Sequence, residues 1–148
     1  MEIKLSDLAP FQEICKRICL NIPSVYIWQW DDKRDMAVMV LEEEDAEMVF
    51  YPLFKEFNQH WNFTSAPSDS SGITRWVDAN FGLMPGQVMF TSYPLCNLVL
   101  CVAWWPWGGD RKVSMRIGLI PVNKAKLRKG TARQCLGRWL IIQEDEAP

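Results

Sequence analysis

The sequence contains one histidine, His60, so any Ser-His-Asp or Cys-His catalytic arrangement has to use it. It stands in Gln59-His60-Trp61, at the predicted end of a helix, where an imidazolium ion is stabilised by the negative end of the helix dipole. The sequence has neither a nucleophile-elbow pattern nor a cysteine-protease signature to accompany this histidine. We therefore predict that the protein is not an enzyme. A small enzyme that pairs His60 with a nearby Ser, Cys or carboxylate is the alternative that this histidine leaves open.

The five cysteines indicate neither a disulfide framework nor a zinc site. Their number is odd and they are scattered through apolar stretches, which predicts reduced, buried thiols in a cytoplasmic protein. Cys15 and Cys19 are four residues apart and can share a helix face, but no C-x₂-C or H-x₃-H pair completes a tetrahedral site. The sequence also has no glycine-rich phosphate loop. We predict no metal and no cofactor.

The most distinctive segment is Trp104-Trp105-Pro106-Trp107 with the basic residues that follow it. On an alternating strand Trp104 and Trp105 point to opposite faces, so at least one fills the core, whereas Trp107 at a hairpin tip is predicted to be exposed. Exposed tryptophan beside arginine is typical of hot spots in protein interfaces and of platforms for single-stranded nucleic acid. A hairpin end packed by its own indoles is the structural alternative. The predicted contact patch consists of Trp105, Trp107, Arg111, Lys112 and Arg116.

Charge is divided unevenly between the two parts of the chain. Residues 1–80 hold 14 acidic and 7 basic side chains, a net charge of −7, whereas residues 81–148 hold 4 acidic and 9 basic side chains, a net charge of +5. All nine of those basic residues lie in 111–138, without an acid between them. Either the two halves attract one another in the folded protein, or charged patches contact a partner. A second predicted contact patch is the acidic helix start formed by Glu42, Glu43, Glu44, Asp45 and Glu47.

The elements that must position these residues follow from hydrophobic spacing and turn signals. Apolar residues three and four apart predict a first helix that ends near Leu20, with Cys15 in the core. Further helices are predicted at 45–59 and 71–80, and strands at 25–30, 36–41, 87–92, 96–105 and 112–122. On the last strand, apolar residues alternate with Lys112, Ser114 and Arg116, which predicts one wet, basic face. The final segment is either a helix from Thr131 to Ile142 or an edge strand at 138–143.

These elements predict a single α+β domain over residues 1–148, with an antiparallel sheet of about five strands and helices packed on one face. The predicted order is α-β-β-α-α-β-β-β, followed by α or β. No apolar run is long enough to cross a membrane, and the N-terminus does not resemble a signal peptide.

The surplus of tryptophan, the divided charge and the missing catalytic motifs together predict a protein-binding module that acts through a polarised surface. Inhibitors, immunity proteins and chaperone-like proteins, encoded by bacteria and phages as accessory proteins, work in this way. The partner is then another protein, and a homodimer is a further arrangement that the sequence allows. A nucleic-acid-binding module that uses residues 111–138 is the first alternative.

Overall fold

The computed structural model of the protein describes residues 4–62, 86–109 and 111–142. A short 3₁₀ turn, Leu5–Leu8, leads into the first helix. The elements in chain order are α1 (Ala9–Leu20), β1 (Gln29–Asp31), β2 (Met36–Glu42), α2 (Glu43–Glu56), β3 (Gln59–Trp61), β4 (Val88–Thr91), β5 (Leu98–Pro106), β6 (Lys112–Pro121) and α3 (Thr131–Leu140). None of these helices is both long enough and apolar enough to cross a bilayer.

The six described strands form one antiparallel sheet in the order β1-β2-β6-β5-β4-β3. The long β5–β6 hairpin lies at its centre, with Ala103 opposite Arg116 and Pro106 opposite Val113. β2 adds to the other side of β6, so that Val38 also lies opposite Arg116. The two shortest strands, β1 and β3, are the edges, and short edges limit pairing with other chains.

The three described helices lie on one face of the sheet, called here the helix face. The helix α1 contacts both α2 and α3, and the other two helices reach down to β2 and β6. The core on this face includes Phe11 and Cys15 from α1, Leu53 from α2 and Leu136 from α3. The predicted α+β class, with helices packed on one face of an antiparallel sheet, is confirmed; the sheet has six strands rather than five.

A second apolar cluster is buried on the opposite face of the sheet, called here the second face. It contains Met36, Trp61, Met89, Val99, Cys101, Ala103, Ile120 and Val122. Gly118 belongs to this face, and a Cβ there would lie 2.9 Å from both Cγ and Cε of Met36. The prediction that β6 has one wet, basic face is therefore wrong for most of the strand, since only Lys112, Arg116 and Pro121 are half-buried and the rest are buried.

Several predicted boundaries shift for physical reasons. The first strand was expected over 25–30, but β1 starts at Gln29, because a turn after Pro23 takes up the Tyr26 backbone N–H, which donates to the Pro23 carbonyl at 3.2 Å. The Tyr26 hydroxyl accepts the Glu42 N–H at 3.1 Å. The helix expected over 45–59 runs from Glu43 to Glu56 and continues through Pro52. The last segment is the helix α3 and not an edge strand. The predicted helix at 71–80 lies outside the described residues.

The end of α3 holds a strained residue that offers a test of the fold. Ile141 adopts φ 55° and ψ 64°, a left-handed conformation disfavoured for a β-branched side chain, and it is 82% exposed. Replacing Ile141 with Gly should raise the free energy of unfolding by about 1 kcal/mol, because strain is relieved and little burial is lost. Thermal unfolding should show a midpoint roughly 2–4 °C higher. Ile141→Ala, which keeps a Cβ, is the control; a gain equal to that of Ile141→Gly would contradict this explanation.

Candidate functional site

The predicted contact patch lies towards the turn end of the β5–β6 hairpin, on the second face of the sheet. Lys112, Ser114 and Arg116 follow one another along β6 on this face, since side chains two residues apart on a strand share a side. Ser114 lies opposite Val40 of β2 and opposite Trp105 of β5. We call this area the hairpin surface and define it as Val40, Trp105, Trp107, Lys112, Ser114 and Arg116.

Trp107 is the most exposed indole among the described tryptophans, with 41% of its surface accessible. Its orientation is fixed, because its Nε1 donates a hydrogen bond to the Ser114 hydroxyl at 2.7 Å. The Lys112 ammonium lies 5.8 Å from the centroid of the same ring, a cation–π arrangement. The Trp107 backbone N–H also donates to the Lys112 carbonyl at 2.7 Å. The prediction that Trp107 is exposed is confirmed.

Trp104 and Trp105 point to opposite faces of the sheet, as predicted. Trp104 is buried on the helix face, where its ring lies 4.9 Å from that of Phe50. Trp105 is half-buried on the second face, and the Arg116 guanidinium stacks on it at 4.9 Å. Val40, beside them on β2, is 40% exposed. The hairpin surface therefore alternates apolar groups with cations whose side chains are already held in place.

Asp31, on the edge strand β1, anchors the inner end of this surface. Its carboxylate accepts hydrogen bonds from the Arg116 Nε at 3.2 Å and from the Arg34 Nη1 at 3.2 Å. Partial burial raises the pKa of Asp31, but the hydrogen bonds from Arg116 and Arg34 outweigh it and hold that pKa below its usual range. Asp31 is therefore ionised at neutral pH, and it fixes the position of Arg116.

The remaining member of the predicted patch, Arg111, lies beside the predicted acidic patch. A concavity of about 630 Å³ is lined by Arg111 and by the glutamates Glu42, Glu43, Glu44 and Glu47. The Arg111 carbonyl accepts the Glu43 N–H at 2.8 Å, which joins the hairpin turn to the start of α2. Glu42 lies opposite Lys112 in the sheet. The two predicted patches are thus neighbours at one end of the molecule.

Asp45, which was predicted to belong to the acidic patch, has a structural role. Its carboxylate accepts a hydrogen bond from the Tyr26 hydroxyl at 2.5 Å. This hydrogen bond is the main reason that the pKa of Tyr26 is raised, because the neutral phenol donates it. Asp45 therefore fixes the chain before β1 against α2.

Four other basic residues of 111–138 follow the opposite end of β6, roughly 30 Å from Lys112 for a ten-residue strand: Lys124, Lys126, Arg128 and Lys129. Arg133, on α3, lies 3.7 Å from Asp32, and Arg17 on α1 pairs with Glu56 at 2.7 Å. Ion pairs such as Asp31–Arg116 and Asp32–Arg133 join the acidic half of the chain to the basic half, as the structural alternative proposed.

His60 does not end a helix as predicted; it lies in the edge strand β3, opposite Phe90. Its exposed ring packs edge-on against Phe54 at 4.7 Å. α2 ends earlier because Phe57 is extended, at φ −112° and ψ 138°. Among the described residues, no cluster of His, Cys, Asp and Glu is arranged to hold a metal ion. All five cysteines are free thiols, and burial raises the pKa of Cys101 to about 12.

Four members of this region were missed by the sequence analysis: Asp31, Arg34, Val40 and Ser114. Ser114 and Val40 had a signal, because each lies at an alternating position of a predicted strand. Asp31 and Arg34 stood in a predicted turn, and only the strand order brings them to β6. Comparison with protein-family models, curated proteins and solved structures finds no match for the chain.

Proposed function

We propose that this protein is a non-enzymatic protein-binding module and that the hairpin surface is its contact surface. The observation that carries the proposal is Trp107, an exposed indole held in one orientation by Ser114 and flanked by Lys112. Tryptophan and arginine dominate interface hot spots, and a fixed side chain loses little conformational freedom on binding. An inhibitor, an immunity protein or a chaperone-like protein would act through such a stoichiometric contact.

The surroundings of Trp107 favour a protein partner over a nucleic acid. Val40 adds an exposed aliphatic group next to Ser114, which suits an apolar side chain of a partner. The neighbouring glutamates around Arg111 would repel phosphate groups. Four other basic residues, Lys124, Lys126, Arg128 and Lys129, follow the opposite end of β6 and do not extend the positive charge around Trp107. A nucleic-acid partner is the outcome that would replace this proposal.

Trp107→Ala should reduce capture of the partner at least about tenfold, because truncation of a central interface tryptophan costs well over 1 kcal/mol. The immobilised protein and the variant are incubated with lysate from the organism that encodes it, and captured proteins are quantified by mass spectrometry. The matched control is Tyr93→Ala, an exposed aromatic residue beyond β4 that is bonded through its backbone N–H to Asn58. Unchanged thermal unfolding of both variants shows that the fold is intact.

Three results would count against the proposal. Captured proteins that persist with Trp107→Ala, or that are lost equally with Tyr93→Ala, would exclude the hairpin surface. Capture abolished by nuclease, with log affinity for an oligonucleotide falling linearly with log salt, would indicate a nucleic-acid partner.

A further variant tests the contribution of charge to the same contact. A double charge reversal, Arg111→Glu with Lys112→Glu, should weaken capture of the partner without lowering the melting temperature of the protein.

A further inference from the structure

Two guanidinium groups share one carboxylate beside the hairpin surface. Arg34, in the β1–β2 turn, donates to Asp31 through Nη1 at 3.2 Å and through its backbone N–H at 3.3 Å. Arg116, in the centre of the sheet, donates to the same Asp31 Oδ2 through Nε at 3.2 Å. This group of three side chains therefore carries one positive charge that Asp31 does not neutralise.

Donors in this group remain without acceptors. Arg34 Nε is buried and has no hydrogen-bond partner. Among the described residues, no acceptor lies within hydrogen-bond distance of the terminal Nη atoms of Arg116. Arg34 Nε is shielded from solvent, whereas the Nη atoms of Arg116 are not among the buried donors without a partner and are open to an acceptor from outside. Burial lowers the pKa of Arg116, and the positive charge of Arg34 lowers it further. The hydrogen bond to Asp31 acts in the opposite direction and raises that pKa, but it does not outweigh the burial.

Both arginine side chains are partly accessible to solvent. Side-chain exposure is 30% for Arg34 and 15% for Arg116. The stacking of Arg116 on Trp105 covers one face of its planar group, and since Nε already donates to Asp31, the Nη atoms are the donors that a ligand would meet. An incoming anion would therefore meet the edges of the two guanidinium groups next to the indole of Trp105.

We propose that Arg34 and Arg116 form a subsite for a single carboxylate, supplied by an acidic side chain of the partner next to an apolar residue. The inference rests on the proposed function and specifies its partner: the apolar residue packs on Trp105 and Val40 while the carboxylate bridges the two guanidinium groups. Arginine edges bind carboxylates in a fork geometry, which also orients the partner.

The surrounding charges favour one carboxylate over phosphate. One positive charge is unmatched in the group, which suits a ligand of charge −1 better than the near −2 of a phosphate monoester. The exposed carboxylates Asp32 and Asp35 lie in the same turn as Arg34, and Glu42 lies at the other end of the hairpin surface. A polyanion such as nucleic acid would meet these repelling charges on either side.

The test uses ¹⁵N–¹H NMR of the arginine Nε–H groups at pH 6, with the whole protein. The probe is the peptide acetyl-Leu-Glu-Leu-amide, and the matched peptide carries Gln in place of Glu. We expect saturable shifts of the Arg34 and Arg116 Nε–H signals with the Glu peptide and binding at least about tenfold weaker with the Gln peptide, as for a lost charge-assisted hydrogen bond. Equal shifts with both peptides, or no shift at either arginine, would overturn the proposal.

Variants separate the subsite from general electrostatic attraction. Arg116→Lys keeps the positive charge but loses the planar fork of guanidinium donors, and it should weaken binding of the Glu peptide about tenfold. Arg34→Lys is the second variant, and backbone spectra report whether either one disturbs the fold. Arg128→Lys, an exposed arginine in the loop after β6, should leave binding unchanged. An equal loss with Arg128→Lys would overturn the subsite.

Two further probes and the capture experiment distinguish a phosphate site, a failed subsite and a failed protein-binding function from one another. Inorganic phosphate or an eight-nucleotide oligothymidine that saturates the Arg34 and Arg116 signals at a lower concentration than the Glu peptide would assign the site to phosphate and overturn the proposal. If the Glu peptide shifts neither arginine signal while Trp107→Ala still abolishes capture, the subsite is overturned and the protein-binding function still stands. Capture that survives Trp107→Ala would overturn that function, whatever the peptide result.

Discussion

Replacement of Phe90 by alanine is expected to lower the free energy of unfolding by about 3–5 kcal/mol, a large part of the stability of a domain of this size. Phe90 is fully buried on β4, at the centre of an aromatic cluster on the helix face. Its ring lies 5.1 Å from that of Phe54, 5.8 Å from that of Phe50 and 6.0 Å from that of Phe57. The cost is large because both the transfer of the ring from water and its edge-on contacts are lost.

Chemical denaturation with an unchanged slope should reveal this loss, and the thermal midpoint should fall by roughly 10 °C. Tyr93→Ala is again the matched control, because Tyr93 is exposed and should change stability by less than about 0.5 kcal/mol. A cost below about 1.5 kcal/mol for Phe90→Ala would show that α2 does not pack on β4 as described.

The second large effect is expected for Asp31→Asn, which should lower the free energy of unfolding by about 2 kcal/mol at pH 7. Removal of one partner from a fully buried ion pair costs about 3–5 kcal/mol, and the partial exposure of Asp31 and its arginines reduces that figure. The amide keeps the shape of the side chain, but it loses the negative charge that both arginines face, and its NH₂ group replaces one of the two acceptor oxygens with a donor. The neighbouring Asp32→Asn is the control, since Asp32 is exposed and makes one long ion pair with Arg133 at 3.7 Å.

The pH dependence of this effect has a definite sign. The pKa of Asp31 is lower in the folded protein than its ordinary value of 3.8. Its contribution to stability is therefore complete above about pH 5 and is lost as the pH falls through the lowered folded pKa. Denaturation measured between pH 7 and pH 2 should show the stabilities of the natural protein and of Asp31→Asn converging only below about pH 5. A constant difference over that range would contradict an ionic role for Asp31.

Hydrophobic patterning was sufficient to predict the long elements of this fold. β5 and β6 are apolar runs bounded by turn residues, and α1 carries apolar residues at helical spacing, so their positions were predicted to within a few residues. β3 was missed, because Gln59 and His60 are polar and the strand exists only through its pairing with β4. The start of β1 was misplaced for a related reason: Val25 and Ile27 have strand-forming side chains, but both are exposed and lie before the paired residues.

Prediction of the site was limited by strand order. Lys112, Arg116, Trp105 and Trp107 are close in sequence on one hairpin, so their proximity followed from the hairpin alone. The Asp31–Arg116 ion pair joins residues 85 positions apart and requires β2 to lie between β1 and β6. Nothing in the residue pattern distinguishes that order from its alternatives, since β1, β2 and β6 all fit an antiparallel sheet.

The alternation along β6 limits how this surface can change during evolution. Met115 and Ile117 point into the core on the helix face, whereas Ser114 and Arg116, their immediate neighbours, point to the hairpin surface. Insertion or deletion of a single residue within β6 would exchange the two sets and place an arginine among buried phenylalanines and leucines. New specificities can therefore arise by substitution on this strand, whereas changes of length are confined to connections such as the mostly exposed segment 123–130.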